Sequence, residues 1–151
     1  MKNLFNTAFE ASLHILILLG LYKAPVSADM ITYIDFITVY SKSFGMGNEN
    51  LNGENNFKYG ELSSRRRMIK SALKRLVLNG MVKARTTDDG FRYDITDYGK
   101  QYEESLNSDY ASKYRNDAEV VIDEMIGMNE QEISVFLKEK SLEDRKGGDY
   151  K

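Results

Sequence analysis

The chain has 151 residues, with 21 Lys+Arg against 23 Asp+Glu, one His, one Pro, and no Cys or Trp. A length near 150 predicts one domain that buries roughly 70% of the surface its unfolded chain exposes. The absence of cysteine excludes disulfides, thiolate metal sites and a Cys nucleophile, the lone His14 excludes multi-His metal sites, and a net charge of -2 argues against a dedicated nucleic-acid binder.

Thr7-Ala8-Phe9-Glu10 reads as a capping box, with Thr7 at the N-cap and Glu10 three residues on. It opens a first helix, over about residues 8–22. Residues 13–21 are apolar almost all round, so this helix is expected to be buried on most sides. The run is shorter than the roughly 20 residues of a membrane span. Glu10 and the lack of an Ala-x-Ala site also argue against a signal peptide. The expectation is a buried helix in a cytoplasmic protein, with no membrane partner. His14 has no sequence neighbour able to act as nucleophile or second ligand, and reads as a packed helix histidine.

Ser27 is the predicted N-cap of a second helix, over about 28–43, with Asp29 favourable to its dipole and Val26 placed to staple onto Ile31. A Gly- and Asn-rich loop follows from Gly45 to Asn56. Its glycines are neither preceded by a strand nor followed by Gly-Lys-Ser/Thr, so it is no phosphate loop. A third helix is expected over about 60–79, where Leu62, Ile69, Leu73 and Leu76 form an apolar stripe that Ala72 and Val77 widen. Arg67, Lys70, Ser71 and Lys74 fall on the opposite side. Arg65 and Arg66 flank the apolar face, which predicts carboxylate or partner-chain contacts for them, and Asp35 on the second helix is the candidate ion-pair partner. Asn79-Gly80 supplies the stop.

Residues 81–87 read as a strand, Asp88-Asp89-Gly90 as a turn and residues 91–95 as the returning strand. Val82 and Ala84 share one face, as do Phe91, Tyr93 and Ile95, while Lys83, Arg85 and Arg92 face outward. Thr96 can cap a short fourth helix containing Tyr98, Tyr102 and Leu106. Two acidic helices follow, over about 109–126 and 130–143, broken and recapped at Gly127-Met128-Asn129. The first carries Tyr110, Tyr114, Ala118, Val121 and Met125 in one stripe, and the second holds Ile133, Phe136 and Leu137. The closing Gly147-Gly148-Asp149-Tyr150-Lys151 resembles a spacer and tag remnant.

Resolved along the chain, the net charge divides sharply. Residues 62–87 carry Arg65, Arg66, Arg67, Lys70, Lys74, Arg75, Lys83 and Arg85 and no acid, whereas residues 101–151 are net acidic. Such asymmetry marks a basic working surface on an acidic body. The DNA-contact candidates are Arg67, Lys70, Lys74, Lys83, Arg85 and Arg92. With few Asn or Gln partners for adenine among them, phosphate contact without sequence preference is expected. Asp88 and Asp89 at the hairpin tip would repel phosphates.

The order helix, helix, basic helix, hairpin, capped helix is that of a winged helix-turn-helix domain. The fold class is mainly α with a small β-hairpin, a winged helix-turn-helix over 1–107, then an acidic helical extension over 108–145 and a tag remnant over 146–151. Leu76-Val77-Leu78-Asn79-Gly80-Met81-Val82 resembles the end of a winged-helix recognition helix, and Phe91 to Gly99 the second wing strand entering the next helix.

Phe9-Glu10 with Leu13 to Leu19, Tyr33 to Tyr40 with Phe44-Gly45, Gly60-Glu61-Leu62, Arg65-Arg66, Ala72-Leu73 and Leu76-Val77 with Gly80 resemble a narrower group. It is the small middle component of three-component ABC/SMC-type systems, specifically Lamassu-type anti-phage defence, and the likeness covers about residues 5–100. The resemblance implies a non-catalytic accessory subunit bridging an SMC-like ATPase and a nuclease or other effector; no cofactor or metal is expected for this composition. Double-stranded DNA is a further expected partner. Phe5, Phe9, Tyr110, Tyr114 and Phe136 are the partner-docking candidates, although intrachain packing is the simpler reading of the two tyrosines. The alternative function is a winged-helix transcription regulator.

Overall fold

A computed structural model describes residues 8–51, 53 and 58–149, with the backbone alone for 145–149. Thr7, and with it the first cap, lies outside the described residues. Helix α1 spans Ala8–Leu21 and α2 spans Ala28–Val39. Both are nearly encircled by apolar packing: Leu13 to Leu19 of α1 and Ile31 to Val39 of α2 are buried without a break. Ser27 caps α2 as expected, its hydroxyl accepting from the Met30 N–H at 3.1 Å.

The second helix stops earlier than its apolar pattern predicts. At Tyr40 the backbone leaves helical geometry, and Ser41–Phe44 continue as a tighter 3-10 turn. The physical reason is competition for a carbonyl: Leu51 N–H, arriving from the loop, donates to Val39 O at 2.9 Å and displaces the helical bond.

Another 3-10 turn, Lys58–Glu61, leads into α3, Leu62–Leu78. Ile69, Ala72, Leu73 and Leu76 are its buried apolar residues, matching the predicted stripe. Its end is a Schellman motif. Gly80 at φ 77° donates to Val77 O, and Met81 donates to Leu76 O.

Strands β1, Val82–Thr87, and β2, Gly90–Ile95, pair antiparallel in the register Val82↔Ile95, Ala84↔Tyr93 and Thr86↔Phe91. The apolar face is thus as predicted, although Phe91 near the tip is 60% exposed. Val26 pairs with Tyr93 as an isolated antiparallel bridge, so the α1–α2 connection lies along the free side of β2.

Thr96 caps α4, Asp97–Glu104, through the Gly99 N–H at 3.0 Å. Position 99 requires glycine because a Cβ there would collide with the Met81 carbonyl oxygen. Helix α5, Asp109–Met125, buries Ala111, Tyr114, Ala118, Val121 and Met125 in the same core as α1 and α2. Helix α6, Glu130–Asp149, extends past the predicted end near 143 and begins with a reciprocal capping box. There Glu132 N–H donates to Asn129 Oδ1, and Asn129 N–H donates to Glu132 Oε1. Among the described residues no helix is long and apolar enough to cross a membrane.

Candidate functional site

Helix α3 carries two populations of cations. At 100° per residue, Arg67, Lys70 and Lys74 line one outer strip together with Ser63. All are exposed, and none of the three cations forms an ion pair with a described residue. The inner flank is different. Arg66 lies 3.1 Å from Asp29 and 3.3 Å from the Tyr33 hydroxyl, closing α3 onto the first turn of α2. Arg65 is buried and its Nε donates to Asp35 Oδ2 at 3.1 Å, so Asp35 pairs with Arg65 and not with Arg66.

Asp35 is the centre of a cluster that sequence reasoning saw only in part. Its Oδ1 accepts from the Tyr114 hydroxyl at 2.7 Å and faces His14 Nδ1 at 2.8 Å. The other nitrogen of His14 lies 3.0 Å from the Tyr110 hydroxyl. Tyr114 stacks on His14 with ring centroids 3.9 Å apart and planes 6° from parallel. Glu61 approaches Arg65 at 3.7 Å and accepts from the Tyr40 hydroxyl at 2.7 Å. Four helices, α1, α2, α3 and α5, thereby meet at one buried carboxylate.

The electrostatics follow from that packing. Burial alone would raise the Asp35 carboxyl, but Arg65, His14 and the hydrogen bond from Tyr114 together hold it well below the usual carboxylate range. Burial and then the nearby Asp35 charge push the Tyr114 phenol far above its ordinary value. The Tyr110 phenol is also raised, by burial first and then by Glu10 and Asp35. The row Asp35–His14–Tyr110 has the outline of an acid, a base and a hydroxyl. The raised phenols stay protonated and serve as hydrogen-bonding hydroxyls beside His14 and Asp35. The arrangement holds one Asp⁻ against one Arg⁺ inside the core.

The hairpin cations are more compromised than those on the α3 strip. Lys83 and Arg85 are exposed, with Arg85 at 3.5 Å from Asp94. Arg92 lies opposite Arg85 in the register and 3.8 Å from Glu130 at the start of α6. Asp88 and Asp89 at the tip are exposed, as expected of a turn.

The docking candidates separate as well. Phe9 is 64% exposed, whereas Tyr114 is fully buried. Tyr114 is therefore corrected from a docking residue to a core residue, because its ring covers His14 and its hydroxyl is committed to Asp35. Tyr110 is half-buried beside His14, and Phe136 is half-buried with its ring centroid 5.8 Å from that of Phe44. Phe5 lies outside the described residues. His14 could have been recognised as networked from Glu10 four residues before it, but its partners on α2 and α5 leave no local trace.

Among protein families, the one described as ABC-three component (ABC-3C) system Middle Component 2 matches the chain over residues 4–145. No curated protein and no solved structure matches it. The family match takes in α5 and most of α6, which lie beyond the residues that carry the resemblance in the sequence.

Proposed function

The chain belongs to the Middle Component 2 family of ABC-three component systems, and from that premise we propose that it is a non-catalytic accessory subunit of an anti-phage defence complex of the Lamassu type. In this reading it works in the cytoplasm and bridges an SMC-like ATPase subunit and a nuclease or other effector. Its body is a winged helix, a reading supported by the order α1, Val26 bridge, α2, α3, β1, β2. The observation that carries the functional reading is the family match together with the exposed strip Arg67, Lys70 and Lys74, which has no ion-pair partner among the described residues.

That strip is the DNA-contacting element of the assembly. Its cations lie within about 10 Å along the helix axis at 1.5 Å per residue. One strand of duplex DNA offers about one phosphate charge per 3.4 Å of axis, roughly three over that length, so all three find partners on one backbone stretch. A chain of net charge -2 binds DNA weakly alone; the contact gains strength when partner subunits add their own.

Co-expression with the ATPase and effector components, followed by size-exclusion chromatography, should yield one complex containing this chain. A stable free homodimer that holds a single palindromic site at physiological salt, with no ATPase attached, would identify a transcription regulator instead. Within the complex, Lys70→Glu with Lys74→Glu should weaken binding to random-sequence duplex DNA at least about tenfold and flatten the salt slope by roughly 2. An unchanged slope would remove DNA from the reading.

A further inference from the structure

Among the described residues, one side of the hairpin's sheet is open. Tyr93 directs both backbone groups at Val26: the Val26 N–H donates to Tyr93 O at 3.0 Å, and the Tyr93 N–H donates to Val26 O at 2.7 Å. In an antiparallel ladder, both groups of one residue point to the same side. Ala84, opposite Tyr93 in the register, therefore makes no ladder bond, and its N–H and C=O point away from β2. Thr86, two residues further on, shares that direction. Among the described residues no strand pairs with β1 on its outer side, and residues 83–87 are all exposed.

Charge decides what such an edge accepts. Lys83 and Arg85 project from its outward face, within a stretch of 26 residues, 62–87, that contains no acid. Asp94 offsets Arg85 from 3.5 Å, while Lys83 has no ion-pair partner among the described residues. A strand laid along β1 would place alternate side chains beside these two cations, where carboxylates form favourable cross-strand pairs. A second copy of this chain is a poor donor. Its acid-rich C-terminal part is folded into α4, α5 and α6, whose backbone groups already serve the helices.

We propose that β1 receives an extended acidic segment of another component of the assembly by strand addition. Ala84 and Thr86 supply the backbone hydrogen bonds, and Lys83 and Arg85 select for acid. The proposal rests on the reading of this chain as one subunit of a multi-component complex.

The decisive variant is Ala84→Pro in the full chain. Proline is tolerated where an edge N–H faces outward, so the substitution removes the donor while leaving the β1–β2 ladder, Lys83 and Arg85 in place. Titrated against the purified ATPase and effector components, it should weaken association with one of them about tenfold, the scale of one lost hydrogen bond. In the wild-type complex, the Ala84 and Thr86 amides should gain hydrogen-exchange protection relative to the free chain. Undiminished association together with unprotected amides overturns the proposal. So does a loss produced by Lys83→Glu with Arg85→Glu but not by Ala84→Pro, since that pattern needs only side-chain charge. Protection of the same amides by duplex DNA alone would also overturn it and assign the edge to nucleic acid. If Ala84→Pro melts below the wild type, amide protection in the wild-type complex decides the matter by itself. Failure of the wild-type chain to associate with either component fells both the subunit reading and this proposal. Association with an unprotected edge fells only this one.

Discussion

Arg65 and Arg67 stand two residues apart on one helix and live in different electrostatic worlds. Arg65 is buried against Asp35, with Glu61, His14 and Tyr114 around the pair. Arg67 is exposed and, like Lys70 and Lys74, has no ion-pair partner among the described residues. A helix turns 100° per residue, so neighbours in sequence are divided between a low-dielectric interior and water. Inside, a charge must be matched or the fold suffers; outside, an unmatched charge costs little and remains available to a partner. The same side-chain type thus holds the fold together at one position and presents a surface at the other.

The comparison breaks most decisively at its buried end. Asp35→Asn leaves the Arg65 guanidinium without its main counter-charge and should cost roughly 3–5 kcal/mol, measured by urea unfolding. The pH dependence of the same carboxylate gives a second handle. Its folded pKa lies below the unfolded value near 4, so its stabilisation is complete above that pH and is lost as the pH falls below it. The wild type should therefore lose more stability than Asp35→Asn between neutral pH and about pH 3. Equal losses would mean that this carboxylate titrates alike in both states.

Tyr114→Phe removes one charge-assisted hydrogen bond while keeping the ring on His14, and should cost about 1.5–3 kcal/mol in the same assay. At the partly solvated neighbour, Asp29→Ala should cost less than about 1 kcal/mol, because solvent screens the Asp29–Arg66 pair. A large effect there would blur the division between inner and outer cations. On the outer strip, Lys70→Glu with Lys74→Glu should shift unfolding by at most about 0.5 kcal/mol per residue while changing DNA affinity of the complex. A collapse in stability would show that the strip supports the fold as well.

Much of this division was legible beforehand, and the gaps have definite causes. The stripe Ile69, Leu73 and Leu76 follows from 3.6-residue periodicity, and the caps at Ser27, Thr96 and Asn129 rest on contacts within three residues. Asn79-Gly80 as a stop, and the hairpin faces, were readable for the same reason. The early end of α2 was not, because the Leu51 N–H that takes the Val39 carbonyl comes from twelve residues away. Phe91 belongs to the apolar face by alternation, yet it lies at the tip, beyond the reach of the core.

Local order, cap chemistry and the segregation of basic from acidic residues were determined by the sequence by itself, since each depends on neighbours a few positions apart. It also narrowed the partners of Asp35 to two arginines. Only the tertiary structure decided between them, drew His14 and Tyr114 onto the same carboxylate from 21 and 79 residues away, and left Ala84 on an edge that no other described strand covers. Those outcomes depend on how helices and strands dock, and docking is set by the shape of the shared core rather than by the spacing of residues along any one element.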